Sequence, residues 1–114
     1  MRILLPLALA ALLLAASAGQ TIVVADDAES RDLVIKDHVF SPAEITVPAG
    51  HRVAIHIKNM DATAEEFDSS ALKVEKVIAG GASGTVHLRP LAPGRYKFEG
   101  EYHEKTAQGV VIAQ

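Results

Sequence analysis

The chain has 114 residues, a formal net charge of −3 and no cysteine. This length suits one small domain. Lysine and arginine form no cluster, which argues against nucleic acid as a partner, and the lack of cysteine excludes disulfides and all thiolate chemistry.

The N-terminus has the pattern of a secretory signal peptide. Arg2 precedes an apolar run over residues 3–16, and residues 16–18 offer small side chains at the two positions that a signal peptidase reads. The run is too short for a membrane-spanning helix. We therefore expect an exported protein with three parts: a cleaved signal peptide over residues 1–18, a flexible leader over 19–31 and a folded domain over 32–114.

The domain begins with short β-rich segments separated by turns. Segments at 33–35 and 45–47 come first, and a Pro-Ala-Gly turn follows the second. The next strand has the clearest pattern, because Val53, Ile55 and Ile57 alternate with small or polar residues. This period of two predicts a half-buried strand.

The second half of the domain continues in the same way. Residues 59–68 predict a polar, acidic loop, whereas residues 71–78 fit either a strand or a helical turn. Alternation returns at 85–89 and 96–98, and residues 109–113 form a closing strand. About seven short strands with frequent turns predict an all-β Greek-key β-sandwich.

Two groups of motifs make this pattern specific. Residues 40–50 (Phe-Ser-Pro-Ala-Glu-Ile-Thr-Val-Pro-Ala-Gly) and the strand over 53–59, which ends in Asn, resemble the opening half of cupredoxins. Residues 93–98 (Pro-Gly-Arg-Tyr-Lys-Phe), His103 and the last apolar strand resemble the closing half. The resemblance covers residues 32–114 and implies a cupredoxin-like sandwich.

The same resemblance shows how far the metal ligands of the family are retained. The first histidine of a blue-copper site falls at Glu65 or Glu66, the cysteine at Gly100, the second histidine at His103 and the axial methionine at Gln108. Blue copper requires a thiolate and two imidazoles in a trigonal arrangement. The missing cysteine therefore excludes a blue-copper site.

The chain is more similar to the small periplasmic cupredoxins that accompany bacterial ferrous-iron permeases. The matching stretches are residues 65–68, 75–81, 100–103 and 106–109. This resemblance implies a periplasmic role in iron uptake, by binding or oxidising Fe(II) or by holding non-blue copper for that oxidation. The partners it implies are a metal ion, a periplasmic iron-binding protein and a membrane iron permease.

Five residues are candidate ligands for an iron or copper ion. In a sandwich, the loop that carries His103 opens at one end beside the segment that carries Glu65 and Glu66, and Glu101 lies two residues before His103. Adjacent side chains on extended backbone point to opposite faces, so at most one of Glu65 and Glu66 faces the site. His38 follows the first predicted strand and reaches the same end.

A different interpretation of the same residues is a metal-free protein. His103 is then an exposed loop histidine with an ordinary hydrogen bond, and the glutamates form a solvated acidic loop. The missing cysteine favours such a cupredoxin-fold accessory or binding module of a periplasmic complex. The clustered acids and the retained His103 favour a metal site. The sequence contains no Ser-His-Asp set and no phosphate-binding glycine loop, so no motif in it indicates a hydrolase.

Overall fold

The computed structural model describes residues 2–3, 19 and 29–114. The predicted signal peptide and most of the predicted leader lie outside the described residues. The first strand begins at Glu29, three residues before the predicted start of the domain at Asp32. Residues 29–31 therefore belong to the sandwich and not to the leader.

The described residues form nine strands and one short 3₁₀ helix, Glu101–His103. The strands are β1 (Glu29–Lys36), β2 (Val39–Ser41), β3 (Glu44–Val47), β4 (Val53–Asn59), β5 (Glu65–Ser69), β6 (Val74–Ile78), β7 (Ser83–Leu88), β8 (Gly94–Gly100) and β9 (Gln108–Ala113).

The strands make two sheets, with the orders β2-β1-β4-β7 and β3-β9-β8-β5-β6. The β1–β4 and β3–β9 pairs are parallel and the other pairs are antiparallel. Strands adjacent in the chain change sheets repeatedly, as in a Greek-key sandwich. The predicted all-β fold class is confirmed.

Alternating apolar side chains of the two sheets form one core. In β4, Val53, Ile55 and Ile57 are buried while His56 and Lys58 are exposed, as the sequence pattern predicts. Three phenylalanines, Phe40, Phe67 and Phe98, join the sheets at ring-centroid distances of 4.8 to 6.0 Å. Such aromatic packing adds to the burial energy.

Strand β5 corrects the prediction of a loop over residues 59–68. Its side chains alternate, with Glu65, Phe67 and Ser69 buried and Glu66 and Asp68 less so. Two of the three inward positions are polar, and this hides the period-two pattern in the sequence. The ambiguous segment 71–78 contains strand β6, and the sandwich has nine strands instead of about seven.

The segments that carry the predicted ligand residues meet at one end of the sandwich. Ile35 pairs with Asn59 in the parallel register of β1 and β4, so the β1–β2 turn lies beside the segment that follows β4. Phe67 pairs with Gly100, which brings the start of β5 next to the 3₁₀ helix. Within the described residues, no helix has the length and apolar character needed to cross a membrane.

We expect Gly109→Ala to destabilise the sandwich. A Cβ at Gly109 would lie 2.2 Å from Cζ of Phe98 and 2.9 Å from the carbonyl oxygen of Ala43, so the core must shift. Overpacking of this kind lowers the free energy of unfolding by about 1–3 kcal/mol. Urea denaturation measures the change.

Gly84→Ala is the matched control, because the nearest atoms to its Cβ are side-chain carbons at 3.3 and 3.4 Å. Its free energy of unfolding should stay within about 1 kcal/mol of the parent value. Equal destabilisation by the two substitutions would contradict the packing argument.

Candidate metal centre

Glu65 is a buried carboxylate at the first position of β5. Its side chain is 1% exposed, and a buried charge requires hydrogen-bond partners. Oε1 accepts the backbone N–H groups of Glu66 at 3.1 Å and Tyr102 at 3.0 Å. Oε2 is hydrogen-bonded to Nδ1 of His103 at 2.5 Å. The carboxylate therefore fixes the 3₁₀ helix and its imidazole to the start of β5.

Gly100 leaves the space that this carboxylate fills. A Cβ at position 100 would lie 2.6 Å from Cδ of Glu65, 2.8 Å from its Oε1 and 2.6 Å from Cβ of Ala107. No side chain at position 100 fits while Glu65 keeps this position. By resemblance, position 100 is that of the thiolate ligand. The absent thiolate and the buried Glu65 are thus one structural feature.

His103 ends the 3₁₀ helix and is held from both sides. Its carbonyl oxygen accepts the N–H groups of Thr106 at 3.1 Å and Ala107 at 2.9 Å, and the N–H of Gly100 donates to the carbonyl oxygen of Ala107 at 2.8 Å. The His103 side chain is 27% exposed. The ring therefore connects the buried carboxylate with an open pocket that His38 also lines.

His38 stacks on His103. The two ring centroids are 3.6 Å apart and the planes are inclined by 10°. His38 lies in the β1–β2 turn, where Asp37 and His38 have left-handed φ angles of 52° and 58°. Such angles are uncommon for residues other than glycine.

Asp61 supports this turn, and sequence reasoning missed it. Its carboxylate accepts the backbone N–H groups of Asp37 at 2.7 Å and His38 at 3.0 Å. Oδ2 also lies 3.4 Å from Nδ1 of His38. The hydrogen bond from the backbone of His38 is the largest cause of the lowered pKa of Asp61.

Asn59 holds Asp61 in turn. The buried amide of Asn59 donates to the carbonyl oxygens of Thr63 at 2.8 Å and Ile78 at 3.1 Å, and its Oδ1 accepts the N–H of Asp61 at 3.0 Å. The Asn-x-Asp pattern that ends β4 is a sequence signal for such a side-chain-to-backbone turn.

The five predicted ligands fall into two groups. His38, Glu65 and His103 offer ligand atoms within 4.8 Å of one another, whereas Glu66 and Glu101 form a second such group with Asp68. Glu65 and Glu66 thus face opposite ways, as expected from extended backbone. In the second group, the negative charge of Glu66 is the largest cause of the raised pKa of Glu101.

The first group has a donor set that suits a non-blue metal site. Two imidazoles and a carboxylate are ligands for copper, iron or zinc. The chain has no thiolate, so the donor set does not fit blue copper. We refer to His38, Glu65 and His103 as the histidine–glutamate site.

Comparisons with known proteins agree with the fold. A family model described as a cupredoxin-like domain matches residues 5–113. A relative, an uncharacterized protein of Rickettsia prowazekii (strain Madrid E), is 41% identical over 80 residues. The match spans 70% of this chain and 64% of the relative's length.

Solved structures show the same fold at low identity. Auracyanin B has a TM-score of 0.66 and 13% identity, covering 78% of this chain and 91% of that one. Auracyanin A, a "blue" copper protein from Chloroflexus aurantiacus, has a TM-score of 0.63 and 18% identity, covering 75% and 98%.

A third structure belongs to a copper exporter. It is the metal-binding domain of the Cu(I) exporting P-type ATPase CopA of Streptococcus pneumoniae D39 with Cu(I), with a TM-score of 0.65 and 14% identity over 78% of this chain and 89% of that one. At these identities the structures show the fold alone. Because the family model spans nearly the whole chain, the protein belongs to the cupredoxin-like domain family.

Proposed function

We propose that the protein is an exported, periplasmic metal-binding protein that holds an iron or copper ion at the histidine–glutamate site. Its role in this proposal is in iron uptake, by binding or oxidising Fe(II). The observation that carries the proposal is the convergence of ligand atoms from His38, Glu65 and His103 within 4.8 Å at one end of the sandwich.

Burial and charge support a cation at this position. The negative charge of Glu65 is almost completely removed from solvent and is in contact with an imidazole that reaches the surface. Electrostatic attraction is stronger where water screens less. The acidic group of Glu66, Asp68 and Glu101 lies on the same strand and adjacent helix, and raises the local concentration of cations.

The donor atoms favour a hard, highly charged ion. A carboxylate oxygen interacts more strongly with Fe(III) than with Fe(II) because the charge is larger, which lowers the potential of the bound ion and assists its oxidation. The same oxygen and two imidazoles suit Cu(II). The stretches that resemble the cupredoxins of ferrous-iron permease systems support iron as cargo, with a periplasmic iron-binding protein and a permease as partners.

One observation favours a metal-free function. Among the described residues, every buried side-chain nitrogen and oxygen has a hydrogen-bond partner without an ion. The second candidate function is therefore an accessory or binding module of a periplasmic complex. A partner that binds equally well before and after chelator treatment would favour this candidate.

Calorimetric titration of the purified chain tests the leading proposal. We expect saturable binding of Cu(II) in air and of Fe(II) without oxygen. His103→Ala should weaken binding by at least about tenfold, because loss of even an outer partner of a metal ligand has that effect. His51→Ala is the matched control, since His51 is exposed in the turn between β3 and β4 at the other end of the sandwich.

Two results would contradict the proposal. One is the lack of saturable binding of either ion by the unmodified chain. The other is equal affinity in His103→Ala and in the control. Oxygen consumption with Fe(II) in excess then separates turnover from simple binding.

We expect Gly100→Ala to damage the site and the fold together. The added methyl group overlaps the position of the Glu65 carboxylate, which must move away from Tyr102 and His103. Overpacking lowers the free energy of unfolding by about 1–3 kcal/mol, and the metal affinity should fall with it. Urea denaturation and Cu(II) titration measure the two effects.

Gly84→Ala is again the control, because Gly84 is also a glycine within a strand. It should leave the Cu(II) affinity unchanged because the nearest atoms to a Cβ at Gly84 are side-chain carbons of Ile78 and Lys76, which are not ligand candidates. Unchanged affinity and stability in Gly100→Ala would show that Glu65 does not need the space at position 100.

A further inference from the structure

The two stacked imidazoles have matching surroundings. Nδ1 of His103 is hydrogen-bonded to Oε2 of Glu65, and Nδ1 of His38 lies 3.4 Å from Oδ2 of Asp61. Each ring therefore turns Nδ1 toward a carboxylate, and Nε2 of the exposed His38 ring is the nitrogen left for an ion. Carboxylate–imidazole pairs of this kind orient histidine ligands and increase their basicity.

Asp61 contacts the backbone of the β1–β2 turn as well as the His38 ring. It accepts both backbone N–H groups of the Asp37–His38 turn, at 2.7 and 3.0 Å. Both residues have left-handed φ angles, which are unfavourable for residues with a side chain. The two hydrogen bonds offset this cost.

Asp61 is itself fixed to the body of the sandwich. Its N–H donates to Oδ1 of the buried Asn59, and its carbonyl oxygen accepts the N–H of Gly81 at 2.9 Å. The N–H of Met60 donates to the carbonyl oxygen of Ile35 at 2.8 Å. The backbone position of His38 is therefore set through Asp61 by strands β1 and β4.

We propose that Asp61 is a positioning residue of the histidine–glutamate site, which holds the backbone of the Asp37–His38 turn so that Nε2 of His38 serves as the second imidazole ligand. This inference rests on the proposed function. It predicts that Nε2 of His38 is a ligand of the ion while Asp61 keeps the backbone of the turn in place.

The stacked arrangement indicates which of the two imidazole rings must move when an ion binds. A nitrogen lone pair lies in the plane of its ring, so two nearly parallel rings 3.6 Å apart cannot both direct a lone pair at one ion. His103 is held by the buried Glu65, whereas the side chain of His38 is 42% exposed on a two-residue turn. The His38 ring therefore rotates out of the stack on binding, while Asp61 keeps its backbone in place.

Electron paramagnetic resonance of the Cu(II)-loaded full chain tests the inference. Nitrogen couplings should count two imidazoles in the unmodified chain and one in Asp61→Ala, with an affinity about 10- to 100-fold lower. Asp61→Asn keeps one of the two oxygens that accept the backbone N–H groups, so it should lose less affinity than Asp61→Ala and keep both imidazoles.

Two controls separate positioning from general stability. Asp32→Ala removes an exposed aspartate from β1 and should leave the spectrum unchanged. Ile55→Val removes one core methylene, lowers stability by about 0.5–1.5 kcal/mol and should still show two imidazoles. The inference is overturned if Asp61→Ala keeps the spectrum and affinity of the unmodified chain, or if Ile55→Val loses an imidazole to the same extent.

Failure of the proposed function has a different signature. If the unmodified chain binds neither Cu(II) nor Fe(II), the metal-binding proposal is wrong and the role of Asp61 is measured in the metal-free protein. Nitrogen-15 shifts of the His38 ring should then change in Asp61→Ala while those of His51 do not. Unchanged His38 shifts would overturn the positioning role by itself.

Discussion

The contact between the buried Glu65 carboxylate and the His103 ring determines the structure of the site. Removal of a carboxylate from water costs several kcal/mol unless hydrogen bonds replace the lost solvent, and Glu65 receives two backbone N–H groups besides the ring nitrogen. Those partners come from the start of β5 and from the 3₁₀ helix. This one charge therefore fixes the chain on both sides of it, at the start of β5 and in the 3₁₀ helix that carries His103.

The fold supplies the framework for this contact through backbone pairing. Strand β5 pairs with β8, so that Phe67 lies opposite Gly100, and the helix that carries His103 follows directly. Across the sandwich, the parallel register of β1 and β4 brings the His38 turn to the same end. Backbone pairing within the two sheets therefore brings both parts of the histidine–glutamate site to one end of the sandwich.

Period-two alternation was enough to predict the sandwich and the strand β4, but it failed where inward positions are polar. Glu65 is the clearest case, because a buried glutamate looks like a loop residue in a sequence. The sequence did predict that Glu65 and Glu66 diverge, since this follows from extended backbone. It could not select between them, because the choice depends on the space left by Gly100, a contact across the sheet. Asp61 was missed for a similar reason: its partners at positions 37 and 38 are 24 and 23 residues away.

The close approach of the Glu65 side chain to Gly100 also connects the cupredoxin fold with the proposed metal preference. A thiolate is a soft ligand, and a carboxylate is a hard one. In this chain the side chain at position 100 is absent and a carboxylate from the neighbouring strand occupies the adjoining space, while the loop closure between Gly100 and Ala107 is intact. On the proposed function, the same sandwich end that supports a blue-copper site in other family members here favours harder ions, with the His103 imidazole as the shared part of the donor set.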